Sequence, residues 1–339
     1  MINLRYHVVS LVAVFLALGM GIVMGSTVID RVTVDALNHN LNSVRSDVNR
    51  TRDENRRLAE QAREGRDFAD QSLVHVLRGQ LPGVPVLVVA VTGVDRKPVD
   101  ALRQSLLAAG ASVQGTIWIT PKMRLDNDAE TRALAAALAP AATTTTAVAG
   151  APPSASSPSS PTSPSSPTTT GLTATADEVR HQALAKLIAD PATLAAMVTA
   201  GFLGYEPPSE SAAAPSTSIP GPTLGVIPVA GTRFVVISGA GAEVGDDVLA
   251  IPLAQALATG GGRAVAAEAG QDTDGGRGVF VGLLRGDATA NGKVSTVDNL
   301  ESPMGQAAVV LALEELGESR VGHFGVGPGA QRLLPALPA

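Results

Sequence analysis

Two methionines and one histidine are the side chains of this sequence best suited to contact a metal ion. Met20 and Met24 lie four positions apart, so a helix places both thioethers on one face. Thioethers favour soft ions such as copper(I), and an oligomer would bring several together. His323 stands in the sequence Gly-His-Phe-Gly, and the five histidines show no ligand spacing such as H-x-x-x-H or H-E-x-x-H. The alternative is packing or lipid contact for the methionines and a structural or solvated role for the histidine.

A glycine-rich turn from Ser238 to Gly245 is the candidate for phosphate binding. It lies between a predicted strand and a predicted helix, where glycines let backbone N–H groups approach an anion. Its spacing, G-x-G-x-x-x-G, is one residue longer than the dinucleotide fingerprint, which favours an ordinary strand-to-helix turn. The sequence contains neither G-x-x-x-x-G-K-[ST] nor G-x-S-x-G. We therefore predict no catalytic residues and no enzyme activity.

The composition excludes several other classes of site. The 339 residues include no Cys, which rules out disulfides, thiolate metal sites and cysteine nucleophiles. A formal net charge of -6 argues against a generally basic nucleic-acid binder. An aromatic content of 3% leaves few side chains on which bases could stack, so we expect no nucleic-acid partner.

The N-terminal region predicts a membrane anchor. Val8 to Gly25 is an apolar run with no charged side chain, preceded by Arg5, and its length suits a transmembrane helix. A cleaved signal peptide is the alternative, but the chain continues without an evident cleavage site. Arg5 favours a cytoplasmic N-terminus and an exported remainder. Gly21 and Gly25 form G-x-x-x-G, which allows two helices to approach closely in lipid.

A heptad pattern follows the anchor and predicts a parallel two-stranded coiled coil. In the first half of the pattern the a and d positions carry apolar residues suited to a coiled-coil seam, and in the second half few of them do. The suitable residues are Val34, Leu37, Leu41, Val44 and Val48. Asn55 at position a is typical of a register-setting residue, and Asp47 at g can pair with Arg52 at the next e of a second chain. A lone solvated helix is the alternative. Pro82 and Pro85 end the rod.

The remainder predicts a Rossmann-like, mainly parallel α/β domain. The apolar runs Val84–Val91 and Ser112–Thr120 are predicted strands, and the helical pattern Asp95–Gly110 lies between them. Further helices are predicted over 128–138, 175–189, 191–200, 247–258 and 302–317. Further strands are predicted over 234–238, 263–267 and 278–284. Both halves are expected to share one doubly wound sheet, with two small separate domains as the alternative.

Composition places the boundaries of these regions. We predict a cytoplasmic start and anchor over 1–27, a coiled-coil rod over 28–80, and the two halves of the α/β domain over 82–140 and 173–339. Between the halves, residues 141–172 are rich in Ser, Thr and Pro and cannot bury enough apolar surface to fold. A second flexible linker is predicted over 206–222. Such a Ser/Thr/Pro composition also suits O-glycosylation on an exported surface.

Three stretches carry a resemblance to a known family. The opening sequence MINLRYHVVSLVAVFLALGMGIVMGS, the segment VDN leading into SPMGQ at 297–306, and GHFGVG at 322–327 with the Leu-Pro ending resemble the mycobacterial copper transport protein B family. The resemblance covers anchor, coil and globular part in order, and the Ser/Thr/Pro insertion departs from it. It implies an actinobacterial envelope protein associated with copper efflux or copper tolerance. It transfers no copper ligands to this sequence.

Three functional hypotheses follow. The first is a single-pass, homodimeric envelope protein of the copper transporter family, with copper as a possible direct ligand and an exported α/β domain. The second is a membrane-anchored scaffold or regulator of cell-wall remodelling or cell division, which would bind an envelope protein and transport nothing itself. The third is a ligand-binding or enzymatic α/β domain that uses the Gly239–Gly245 turn.

Overall fold

The computed structural model describes residues 4–139, 175–187, 189–208, 224–270 and 279–336, which form two compact units, Met1–Asp67 and Phe68–Ala339. The predicted Ser/Thr/Pro insertion and most of the predicted linker at 206–222 lie outside the described residues. The structure therefore addresses the helical N-terminal region and the α/β unit.

The first unit consists of helix, and the second alternates helices with strands. Helix α1 spans Leu4–Leu77. The other helices are α2 Arg96–Ala108, α3 Asp128–Leu138, α4 Ala176–Leu187, α5 Pro191–Thr199, α6 Ala250–Thr259, α7 Val279–Gly286 and α8 Pro303–Glu315. The strands are β1 Pro85–Val91, β2 Ser112–Ile119, β3 Leu203–Glu206, β4 Arg233–Gly239, β5 Arg263–Ala269, β6 Val294–Val297 and β7 His323–Phe324.

The seven strands form one sheet in the order β3-β2-β1-β4-β5-β6-β7, and all neighbouring pairs are parallel except β2 with β3. The apolar runs of β1 and β4 become its central strands because parallel sheets are covered by helices on both faces. All residues of β1 after Pro85 are buried. Successive strands are added to one side of β1 up to β3 and to the other side from β4 onward. The strand order therefore reverses between the hydrogen-bonded neighbours β1 and β4.

The side-chain oxygen of the residue directly before the helix fixes the starts of α2, α3, α5 and α8. In each case this oxygen accepts a hydrogen bond from a backbone N–H in the first turn, which otherwise has no partner within the helix. The four residues are Asp95 before α2, Asn127 before α3, Asp190 before α5 and Ser302 before α8. Ser302 is followed by Pro303 in the first turn of α8, where the missing backbone N–H of proline costs no helical hydrogen bond.

One predicted strand is wrong. Residues 278–284 were expected to be extended, but helix α7 begins at Val279. Phe280, Val281 and Leu284 are buried while Val279 and Leu283 are exposed, which is a helical rather than an alternating pattern. The carboxylate of Glu268 at the end of β5 accepts hydrogen bonds from the backbone N–H groups of Val279 and Val281, at 3.2 and 3.1 Å, and so caps this helix. A short apolar run does not reveal such a tertiary partner.

The last two turns of α1 belong to the α/β unit. Leu77 is fully buried in its core, and Leu73 packs against that core from the preceding turn. Upstream, in the first unit, the described large apolar side chains of α1 are exposed. The C-terminal end of this helix therefore joins a hydrophobic core that these upstream side chains do not.

Candidate functional site

The apolar beginning of α1 is the first candidate site. Arg5–Gly25, 21 residues, is the one stretch of the described chain that is long and apolar enough to cross a membrane. Met20 and Met24 are 67% and 71% exposed. An added Cβ at Gly21 or Gly25 would meet nothing within 4 Å, so this face is open to the close approach of another helix.

The three predicted metal contacts fall in different parts of the molecule. Met20 and Met24 belong to the unit Met1–Asp67, whereas His323 belongs to the unit Phe68–Ala339. Within the described ranges no group of three or more His, Asp or Glu side chains is arranged to hold a metal ion. A metal contact by any of the three remains a prediction.

A buried ion pair forms the centre of the second candidate region, at the β6–β7 edge of the sheet. The side chains of Arg285 and Asp298 are 5% and 0% exposed, and Arg285 Nη1 lies 2.9 Å from Asp298 Oδ2. Arg285 also donates to the backbone oxygens of Phe324 and Pro328 at 2.9 and 2.8 Å. A buried charge pair is tolerable only with such additional hydrogen bonds, because both ions have lost their hydration.

The loop after β7 wraps around this ion pair. Asp298 accepts backbone hydrogen bonds from Val326 at 2.7 Å and Gly327 at 2.9 Å. Gly325 has a φ of +123°, and a Cβ there would stand 2.1 Å from Asp298 Oδ1. Gly325 and Gly327 are therefore required by the close approach of backbone to a buried carboxylate.

His323 belongs to the same network. Its Nδ1 lies 3.0 Å from Thr296 Oγ1 and its Nε2 lies 2.7 Å from Asn291 Oδ1. Thr296 Oγ1 already accepts from Arg285 Nε at 2.8 Å, so its own proton is free to face Nδ1, and the ring proton then sits on Nε2. The side-chain amide of Asn291 connects back to the start of this network, because it donates to the backbone oxygen of Arg285 at 2.7 Å. Both imidazole nitrogens are thus occupied.

The charge state of His323 follows from this environment. Burial, and next the nearby Arg285 cation, hold the pKa of His323 below its usual value. The neutral imidazole fits the directional hydrogen bonds, whereas a second ring proton would face the Thr296 hydroxyl and add a cation beside Arg285. These contacts hold the ring in place within the buried network.

The segment between β6 and α8 has a similar structural role. Asn299 Nδ2 donates to Ser302 Oγ at 3.0 Å, and Ser302 Oγ in turn accepts from the Gly305 N–H at 3.0 Å. A Cβ at Gly305 would lie 2.0 Å from the backbone oxygen of Asn299. The VDN and SPMGQ stretches therefore form a tight strand-to-helix connection.

The Ser238–Gly245 turn packs across the point where the strand order reverses. That point is where open α/β sheets usually bind ligands. Here the Glu243 N–H donates to the backbone oxygen of Thr92 at 2.8 Å, and a Cβ at Gly93 would lie 2.2 Å from the backbone oxygen of Gly241. The Ser238 hydroxyl donates to Asp246. These contacts give the glycines a packing role and support the ordinary-turn interpretation.

The chain is similar to proteins named for copper transport. The family model described as "Copper transport outer membrane protein, MctB" matches residues 1–335. Relatives named Copper transporter MctB, from Mycobacterium bovis and Mycobacterium tuberculosis, are 27% identical over 336 residues. The alignment covers 97% of this chain and 98% of the relatives. The family match includes the apolar start of α1, the rest of that helix and the α/β unit.

Proposed function

The chain belongs to the MctB family of copper transport outer membrane proteins, and we propose on this basis that it acts in copper efflux or copper homeostasis at the cell envelope. The observation that carries the proposal is the family match over residues 1–335, because it includes the apolar helix as well as the α/β unit. Copper is the cargo in this proposal.

The proposed placement is a single-pass anchor with the N-terminus in the cytoplasm and the α/β domain exported. The exposed apolar helix Arg5–Gly25 supports the anchor, and Arg5 at its start supports the orientation. One apolar span cannot enclose an ion pathway by itself, so a role in transport requires several copies or a partner protein.

We propose that the working form is a homodimer. Helix α1 leaves a line of apolar side chains between Leu37 and Leu58 exposed to solvent at heptad spacing, which supports pairing through this face. The G-x-x-x-G segment Gly21–Gly25 offers a second contact within the membrane.

For the α/β unit we propose a Rossmann-like scaffold without catalytic activity. Its strand order and its reversal between β1 and β4 support the fold assignment. Its buried residues Arg285 and Asp298 bind each other and the following loop, and Thr296 links Arg285 to His323, which supports a structural role. Binding of nucleotides or phosphate at the Ser238–Gly245 turn would contradict this and is testable by thermal shift.

We propose the thioethers of Met20 and Met24 as direct copper contacts. His323 stays the third candidate from the sequence, but it would have to give up a hydrogen bond to Thr296 or Asn291 to bind copper. Substituting all three by Ala should lower copper binding and copper tolerance, if the chain contacts copper itself. Unchanged binding and tolerance would remove these residues and leave an indirect role.

The experiment for the proposed function is cell-associated copper in a deletion strain under copper challenge. We expect excess copper in the deletion strain and normal copper after complementation with the full chain. Zinc measured in the same cells controls for a leaky envelope. Unchanged copper in the deletion strain would contradict the proposal.

The alternative proposal is a scaffold or regulator of cell-wall remodelling or cell division. The sequence order of anchor, helical rod and α/β unit supports it, since this order suits a recognition domain tethered to a membrane. It predicts normal copper with altered cell separation or wall integrity in the deletion strain. It also predicts a specific envelope partner after crosslinking and pull-down.

A further inference from the structure

The exposed stripe of α1 is the line of apolar side chains on one face of the helix between Leu37 and Leu58. Its described members are 42–59% exposed, namely Leu37, Leu41, Val44, Val48 and Leu58. They occupy positions a and d of one heptad frame, so they lie along one face of the helix. Scattered exposed apolar side chains are ordinary, but a periodic line of them over 22 positions requires a partner.

The polar residues on this face are compatible with a second helix. Thr51, at position d, donates its hydroxyl to the backbone oxygen of Asp47 at 2.9 Å, so that group is satisfied within its own helix. Asn55, at position a, carries an amide that both donates and accepts. An identical amide at the same level of a second helix satisfies it, and this favours pairing in register.

The charges beside the stripe distinguish the two possible orientations. The charged g positions, Asp47 and Glu54, are acidic, whereas the charged e positions, Arg45, Arg52 and Arg66, are basic. Parallel helices place g of one chain against e of the other, so Asp47 faces Arg52 of the second copy. Antiparallel helices place g against g and e against e, which sets like charges together.

We infer that this stripe binds the same stripe of a second copy of the chain, parallel and in register, with acidic g and basic e positions selecting that orientation. The inference rests on the proposed homodimer and specifies how it is built. The pairing ends before Leu73 and Leu77, because these side chains are used by the core of the α/β unit.

Single cysteines test the geometry, since the chain contains no native Cys. We would oxidise the full-length variants Leu37→Cys, Val48→Cys and Leu58→Cys in membranes and follow the disulfide-linked dimer. A disulfide requires Cα atoms within roughly 7 Å. Parallel, in-register pairing predicts dimers at all three positions. Arg50→Cys, on the outer face of the heptad, is the matched control and should not crosslink.

Each other outcome overturns the inference. Positions 37 and 58 are about 31 Å apart along a helix, so antiparallel pairing brings equivalent residues together at one level only. Crosslinking at one of the three positions therefore indicates an antiparallel or shifted pair. Crosslinking at none of them indicates a lone helix or a different partner. The readout is independent of copper, so it separates failure of this inference from failure of the proposed function.

Charge reversal tests the selection of orientation. In the Val48→Cys background, Asp47→Arg places an arginine of one chain opposite Arg52 of the other. We expect the rate of dimer crosslinking to fall roughly two- to five-fold. Adding Arg52→Asp exchanges the charges and should restore the rate. A double variant that stays as slow as the single one would contradict the charge pairing.

Discussion

The N-terminal unit and the α/β unit differ in how far their apolar side chains and ion pairs are buried. In the α/β unit the apolar strands are enclosed, and Arg285 and Asp298 are buried together with several hydrogen-bond partners. Among the described residues of the N-terminal unit the large apolar side chains are exposed, and ion pairs such as Arg56–Asp53 lie in solvent. The α/β unit is stabilised by its own contacts, whereas the proposed membrane and second copy of the chain would cover the exposed apolar side chains of the N-terminal unit.

The largest effect is expected from breaking the buried ion pair. Asp298→Ala leaves Arg285 buried without its counter-ion and removes the acceptor of two loop N–H groups. We expect the free energy of unfolding of the α/β unit to fall by about 3–5 kcal/mol. Denaturant unfolding of the full chain in detergent measures it.

Glu318→Ala is the matched control for this substitution. Glu318 pairs with Arg320 at the surface of the same unit, with side chains 56% and 50% exposed. Exposed pairs contribute about 0–1 kcal/mol, so we expect little change. Equal losses in the two variants would contradict the contrast between buried and exposed charges.

A smaller loss is expected from Gly325→Ala. The left-handed φ and the approach to Asp298 leave no room for a methyl group, and we expect about 1–3 kcal/mol of destabilisation. Gly286→Ala, where an added Cβ meets nothing within 4 Å, is the control and should be neutral or slightly stabilising. Wild-type stability of the Gly325 variant would show that the loop is not held as described.

Acidification should weaken the α/β unit through His323. Its pKa is lowered in the folded state, so below the ordinary histidine pKa the unfolded chain binds more protons than the folded one. The stability contribution is complete above that pH and is lost as the pH falls. Between pH 7 and pH 5, the free energy of unfolding should fall less in His323→Gln than in the wild type. His181→Gln, at an exposed position, should show the same fall as the wild type. An unchanged pH profile in the His323 variant would remove this residue as a cause.

The smallest effect on the α/β unit is expected from the exposed stripe. Leu41→Ser with Val48→Ser should weaken dimer formation while leaving unfolding of the α/β unit within about 0.5 kcal/mol. Sedimentation in detergent follows the first property, and near-ultraviolet circular dichroism of Trp118 follows the second. A large loss of α/β stability would show that the two regions are not independent.

Local patterns in the sequence predict much of the fold. The α3 helix begins and ends as predicted, and β1, β2 and β4 agree with the predicted runs to within a residue or two, because long apolar strands and capped helices carry local signals. The short strands β3, β6 and β7 were not predicted. Their extended state depends on pairing with a neighbouring strand.

Local sequence patterns do not predict the buried network around Arg285 and Asp298. Arg285, Asn291 and Thr296 were not singled out, although Arg285 is the one charged residue of the otherwise apolar helix α7. The network joins side chains up to 43 positions from their partners. The family resemblance marked VDN and GHFGVG, and the structure supplies the physical reason, since Asp298 holds the backbone of that loop.

The proposed role in copper handling depends on membrane attachment of the N-terminal unit. The direct measurement is cell-associated copper in a deletion strain complemented either by the full chain or by a chain whose Val8–Gly25 segment is replaced by a cleavable signal. Equal amounts of exported α/β unit are confirmed by immunoblot. We predict that only the anchored chain restores normal copper. Equal rescue by the released chain would show that copper handling does not depend on the membrane segment.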